Sequence, residues 1–171
     1  PAPIRRSLRG DLALRGAGIT IEGRDLDEAL DRFEASQSFN LVDAGAFFFI
    51  GPLGVVVTKG YDFAGIFRGS GGRSDIRRLV SEWQIGGGVA RARDVALATN
   101  RHRIALQGGL SFVDQRFDDV TVALLDGRGC ATVQQKIRGS FREPAVDQPS
   151  VLRTIAAPVV RPSRMASAIP W

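Results

Sequence analysis

The chain has 171 residues, of which 44% are hydrophobic and 24% charged, and its formal net charge is +5. This composition is typical of one globular domain, and it excludes both intrinsic disorder and a chain dominated by membrane-spanning segments. Because Cys130 is the only cysteine and His102 the only histidine, the sequence excludes an internal disulfide and a structural zinc site with the usual four nitrogen and sulfur ligands.

The first part of the chain has an alternating apolar pattern. Leu12 and Leu14, followed by Ile19 and Ile21, stand on either side of residues 16–18. Apolar residues at every second position indicate strands with one apolar face. The pattern therefore predicts one or two β-strands.

A helix is predicted directly after these strands. Asp25 is a favourable N-cap, and Glu28 three positions later completes a variant of the capping box. The apolar residues that share one helical face are Leu26, Ala29, Leu30 and Phe33. We expect this helix to end near residues 36–38.

The most apolar segment spans residues 41–57 and contains Phe47 and Phe48. Gly51 and Pro52 interrupt it, and it is shorter than the roughly 20 residues that a transmembrane helix needs. We expect two short helical or irregular pieces. A surface this apolar is rarely left exposed to water. The segment could therefore be buried against a sheet, or it could form a wedge that contacts lipid.

The second part of the chain predicts an antiparallel sheet. Its apolar residues recur at every second position, and they are Val95, Leu97, Ile104, Leu106, Leu110, Phe112, Val120, Val122, Leu124, Val133, Ile137 and Phe141. The breaks between the runs fall at residues 86–88, 99–101, 114–116 and 126–129. These breaks are too short for crossover helices, so neighbouring strands should be joined as hairpins.

Together these patterns predict the α+β class: a curved, groove-like antiparallel meander with short helices covering its apolar face. Residues 1–171 form a single domain in this interpretation. It has a helix-rich part at about 24–68, a sheet-rich part at about 73–142 and a loosely held tail at about 161–171. The spacing of Val151, Leu152, Ile155 and Ala156 predicts one more brief helix before the tail.

The sequence offers no persuasive catalytic site. His102 stands in a predicted turn, and no nucleophile or partner carboxylate is evident for it, which favours a solvated surface residue over a general base. Asp118 and Asp119 would point to opposite faces of a strand unless the backbone bends there. We therefore predict no enzyme activity, no metal and no cofactor.

Arginine supplies nearly all of the positive charge. Arg91 and Arg93 are two positions apart on a predicted strand and should lie on one face. A row of basic side chains on one face of a strand can serve solubility alone. The functional alternative is attraction to anionic lipid headgroups, worth about 1 kcal/mol for each basic residue near the surface. Nucleic acid is not expected, because no recognition helix or interleaved aromatic residues accompany the charge.

A set of short motifs runs through the chain from about residue 8 to residue 152. In chain order they are GRDLD at 23–27, SQSFNLVD at 36–43, GPLG at 51–54, TKGYDFA at 58–64, DVALAT at 94–99, RIAL at 103–106, FDDVTV at 117–122 and IRGSF at 137–141. None of them is a catalytic signature. In order and extent, the set resembles the carboxy-terminal region of AsmA-family proteins, which are envelope proteins of Gram-negative bacteria.

The resemblance implies a non-enzymatic terminal module of an inner-membrane protein that faces the periplasm. Such a protein takes part in outer-membrane assembly and in phospholipid transport between membranes. Its expected partners are phospholipid or a membrane surface, the rest of the parent AsmA-like chain and an envelope protein. The tether to the inner membrane would lie in a segment absent from this chain, and the tail after Val160 has no counterpart in the resemblance.

Related bridge-like lipid transfer proteins form long sheets with a hydrophobic groove, and the resemblance places this chain at the end of one. The residues expected to line the groove or face lipid are Phe47, Phe48, Ile104, Leu106, Leu110, Val120, Val122 and Leu124. Arg91 and Arg93 are expected to contact headgroups. The alternative is a structural or protein-interaction module whose apolar face is a filled core and binds no lipid.

Overall fold

A computed structural model describes residues 2–22, 25–28, 30–31 and 71–151 of the protein. A short helix, α1 (Ala2–Ser7), comes first. The strands that follow are β1 (Gly10–Glu22), β2 (Arg73–Gly86), β3 (Val89–Ala98), β4 (Arg103–Ser111), β5 (Arg116–Leu125), β6 (Ala131–Gly139), β7 (Pro144–Val146) and β8 (Ser150–Val151). Within the described ranges no helix is long and apolar enough to cross a membrane.

These eight strands form one open, curved antiparallel sheet. β1 to β7 pair with their neighbours in chain order, and β8 pairs with β6. The predicted meander is confirmed, and the predicted breaks fall at the hairpin turns. The α+β description holds only in part, because helix in the described ranges is limited to α1 and to residues 26–28 and 30–31.

The apolar face of this sheet is buried as one cluster. Every alternating apolar residue predicted between β3 and the end of β6 belongs to it, and none of these residues is more than 8% exposed. Leu26 and Leu30 join the same cluster at 1% and 0% exposure. The period of two therefore identified the core face correctly.

The helical residues that carry Leu26 and Leu30 begin as the capping pattern predicts. The backbone N–H of Glu28 donates to Asp25 Oδ1 at 2.9 Å, which satisfies one of the free donors of the first turn. The backbone N–H of Leu26 donates to Ser74 Oγ on β2, also at 2.9 Å. We call residues 26–28 and 30–31 the capped segment, and these contacts fix its start against the sheet.

Local bends keep the apolar side chains on one face where the sequence spacing changes from two to three. Asp119 has a φ of 48°, between the core residues Phe117 and Val120. Gly108 lies opposite this bend with a φ of 107°, and a Cβ there would stand 2.4 Å from the Asp119 carbonyl oxygen. The sequence predicts the carboxylates of Asp118 and Asp119 on opposite faces unless the backbone bends there, and the positive φ of Asp119 shows that it does bend.

The amino-terminal alternating pattern forms one strand rather than two. Leu12, Leu14, Ile19 and Ile21 all pack against the core cluster although the spacing shifts between Leu14 and Ile19. Gly18 adopts a φ of 62°, which glycine reaches without steric cost, and this allows the shift within a continuous strand.

Several predictions concern residues outside the described ranges. Phe47, Phe48 and the whole apolar segment 41–57 lie outside the described residues, as do Ala29, Phe33 and the tail at 161–171. The predicted helix that starts at Val151 is wrong at its first residue, because Val151 pairs with Val133 as part of β8.

Candidate functional site

The apolar face at β4 and β5 brings together six of the predicted groove residues. Ile104 lies opposite Leu124, and Leu106 lies opposite Val122. Together with Leu110 and Val120 they are 0–1% exposed. The structure thus places all six in one continuous apolar surface, but this surface is covered rather than open to solvent.

Large side chains complete the same surface. Trp83 is 1% exposed, and the rings of Phe117 and Phe141 meet edge to face with centroids 5.1 Å apart. Such edge-to-face pairs stabilise a core beyond the burial of their area. Leu12 and Ile21 of β1 are only half-buried, so the apolar face continues to the edge strand and becomes more accessible there.

Gln135 is one of the polar side chains that lie on the apolar face. Gln135 lies between Val133 and Ile137 on β6 and is 5% exposed. Its Nε2 donates to the Asp147 carbonyl oxygen at 2.9 Å, whereas its Oε1 is buried without a hydrogen-bond partner. The face therefore holds one unused acceptor among aliphatic side chains.

A side-chain cluster fastens the capped segment to the turn between β3 and β4. His102 Nδ1 lies 3.0 Å from Asp27 Oδ1, and His102 Nε2 lies 3.2 Å from Asp31 Oδ1. Arg101 Nη1 reaches Asp31 Oδ2 at 2.5 Å. Thr99 Oγ1 donates to Asp27 and accepts from the backbone N–H of His102. We call these five residues the histidine clamp.

The histidine clamp corrects the prediction of a solvated, isolated histidine. His102 is only 9% exposed, because the capped segment covers it with two carboxylates. Asp27 and Asp31 are four positions apart, and residues at that spacing share one face of a helix, so the sequence held a signal for this pair. Both ring nitrogens face carboxylates, so the arrangement suits fastening better than proton transfer to a substrate.

The two arginines predicted to contact headgroups lie away from the groove residues. Arg91 is exposed and lies opposite Gln84, and its neighbours Ala90 and Ala92 point toward the core cluster. Arg91 Nη1 lies 3.6 Å from Asp118 Oδ2, and Arg93 donates to Gln84. Arg91 thus belongs to the outer face of the sheet, and a headgroup bound there could reach the groove residues only around an edge.

Comparison of the chain with models of protein families, with curated proteins and with solved structures finds no match.

Proposed function

We propose that this chain is the non-enzymatic terminal module of an AsmA-like, periplasm-facing inner-membrane protein that carries phospholipid between membranes. In this proposal the apolar face of the sheet is the end of a groove for acyl chains. The alternative is a structural or protein-interaction module in which the same face is only a core.

The main support for the proposal is the extent of the apolar face across the sheet. It extends from β6 to β1, and at β1 its side chains change from buried to half-buried. A closed core would be expected to end in a polar edge, whereas Leu12, Leu14, Ile19 and Ile21 continue the apolar surface along the full length of the edge strand. The order of the AsmA-like motifs supports the same interpretation.

Burial of methylene groups supplies enough free energy for this function without any catalyst. Each buried methylene gains about 0.8 kcal/mol, so a chain of about 16 carbons would gain on the order of 12 kcal/mol before the cost of ordering it. An acyl chain against β1 would need no rearrangement of the core. Leu106 and Val122 are fully buried, so an acyl chain could reach them only after the side chains packed on them moved aside.

The burial of the six groove residues favours the alternative function. Exposures of 0–1% are those of a filled core, and such a core needs no ligand. The two proposed functions make different predictions for the side chains of β1. Lipid carriage requires that an acyl chain covers the half-buried leucines, and a structural module does not.

Uptake of a fluorescent phospholipid from vesicles tests the proposal. Leu14→Asp places a charge on the apolar face of β1, and Ala13→Asp places the same charge on the exposed opposite face of the same strand. The proposal expects saturable uptake by the native chain and by Ala13→Asp, with at least a five-fold loss for Leu14→Asp. Absence of uptake by the native chain, with its fold intact, would favour the structural alternative.

A further inference from the structure

The two edges of the sheet differ in length and in protection. β1 is 13 residues long, contains no proline, and pairs with β2 alone among the described strands. At the other edge β7 and β8 have three and two residues, and Pro144 and Pro149 accompany them. Short strands and prolines protect a sheet edge against pairing with another chain, so β1 is the edge that suits a further strand.

The one charged side chain in the interior of β1 does not obstruct this edge. Charged side chains on edge strands commonly discourage pairing, and Arg15 stands near the middle of β1. Arg15 Nε donates to Glu82 Oε1 at 2.8 Å. Because Glu82 belongs to β2, the contact draws the guanidinium toward the sheet and away from the outer side of β1.

The side chains of β1 are arranged symmetrically about a point between residues 16 and 17. Leu12 and Ile21 are equally far from this point along the chain, and so are Leu14 and Ile19. Beyond residues 16 and 17, exposed and half-buried positions alternate in the same order in both directions. A strand with this symmetry matches a second copy of itself in the antiparallel direction, because each apolar residue then meets an apolar residue on the same face.

We propose that β1 pairs with β1 of a second copy of this chain, antiparallel and across a two-fold axis. Leu12 then lies opposite the partner's Ile21, and Leu14 lies opposite the partner's Ile19. The two sheets become one, and the apolar face continues across the junction. A contact in which both copies use the same surface closes as a dimer and does not propagate into a fibre.

Small residues of β1 lie at the proposed axis. Gly16 meets the partner's Ala17, and Arg15 meets the partner's Gly18, so no two large side chains are opposed there. Gly18 has a φ of 62°, and the bend it makes falls beside the axis in both copies. The two bent strands can therefore approach each other without a side-chain collision.

The ends of the pairing carry like charges, which limits its strength. Asp11 lies opposite the partner's Glu22 at both ends, and like charges directly opposite one another weaken an antiparallel pair. The dimer should therefore be reversible. Reversal of one of these charges should tighten it.

Edge pairing uses backbone groups in the plane of the sheet and leaves both faces of the sheet open. The inference therefore does not rest on the proposed lipid groove, and either proposal can fail while the other stands.

Disulfide formation between two single-cysteine variants tests the register. Both carry Cys130→Ser, because Cys130 is exposed. Positions 13 and 20 are exposed on the same face of β1, and the proposed pairing sets position 13 opposite the partner's position 20 with Cβ atoms about 5 Å apart. Two copies of position 13 would be about 23 Å apart, since seven residues separate them along the strand.

A mixture of Ala13→Cys and Thr20→Cys chains should therefore give a covalent dimer on mild oxidation after the subunits exchange. Each variant alone should give at least ten-fold less. Absence of a covalent dimer from the mixture of folded variants would overturn the pairing. An equal yield from either variant alone would overturn the register and with it the proposed symmetry.

Sedimentation of the full chain measures the assembly itself. The mass should rise with concentration to that of two chains and no further. Asp11→Arg sets a positive charge opposite the partner's Glu22 and should tighten the dimer at least five-fold. Glu143→Arg is the matched control, because it makes the same reversal at an exposed position between β6 and β7, and it should leave the affinity unchanged. A monomer at millimolar concentration, or no tightening in Asp11→Arg, would overturn the proposal.

Discussion

His102 Nδ1 lies 3.0 Å from Asp27 Oδ1, although the two residues are 75 positions apart in the chain. This contact joins the capped segment to the turn between β3 and β4. Asp27 also accepts from Thr99, and its side chain is 16% exposed, so it depends on these donors rather than on water. The histidine clamp is thus a tertiary connection between the sheet and the segment that carries Leu26 and Leu30.

Replacement of His102 by alanine should lower the free energy of unfolding by about 1–3 kcal/mol, because Asp27 then stays partly buried without a donor that it uses. Chemical denaturation measures this loss. Arg128→Ala is the control, since Arg128 is 85% exposed and lies 3.9 Å from its carboxylate partner, and its effect should stay below about 0.5 kcal/mol. Equal effects of the two substitutions would contradict a stabilising role for the clamp.

Gly108→Ala should destabilise the sheet by about 2–4 kcal/mol, because an alanine there combines an unfavourable φ with a backbone clash. The added Cβ would meet the Asp119 carbonyl oxygen at 2.4 Å. At Gly86 a Cβ meets nothing within 4 Å, so Gly86→Ala should be nearly neutral. Thermal unfolding of both variants measures the difference in stability. If Gly108→Ala is as stable as Gly86→Ala, Gly108 does not fix the bend at Asp119.

Leu106→Ala should cost about 2–5 kcal/mol, which is the usual loss for a fully buried leucine whose cavity is only partly refilled. Leu106 is 0% exposed, whereas Leu8 is 42% exposed. Leu8→Ala should therefore change stability by less than about 1 kcal/mol. Urea denaturation compares the two, and a small loss at Leu106 would indicate that the apolar face is loosely packed.

Asp94 and Asp126 should contribute to the pH dependence of stability with opposite signs. Burial raises the pKa of Asp94, so its ionisation opposes folding, and the cost grows as pH rises toward and through its native pKa. Hydrogen bonds, first of all from the Cys130 backbone and then from that of Arg128, lower the pKa of Asp126. Its stabilising contribution is present above the pKa of the unfolded chain and is lost as pH falls through the native value.

The same substitution at both sites checks these signs. At neutral pH, Asp94→Asn should be more stable than the native chain and Asp126→Asn less stable. For Asp94→Asn the difference should disappear in acid below the unfolded pKa, and for Asp126→Asn it should shrink below the native pKa. Thermal unfolding across pH measures both, and a destabilised Asp94→Asn at neutral pH would contradict the assignment of an unpaired, desolvated carboxylate.

The sequence predicted the features that depend on local periodicity. Alternation at Ile104 and Leu106 reports which side of a strand is apolar, and the cap at Asp25 depends only on residues within one helical turn. The histidine clamp and the pairing of Glu82 with Asp94 across β2 and β3 could not be predicted, for another reason. They depend on which residues lie opposite one another, as Glu82 and Asp94 do, and that register is decided by bends and pairing across the whole sheet.

Photo-crosslinking on β1 tests the central claim most directly. A benzophenone amino acid replaces Leu12 on the half-buried apolar face or Ala13 on the exposed opposite face, in the protein expressed in its native cells. Lipid carriage predicts phospholipid crosslinked at position 12 and little at position 13. Folded protein that crosslinks no phospholipid at position 12, or that crosslinks it equally at both positions, would contradict an acyl-chain groove on this sheet.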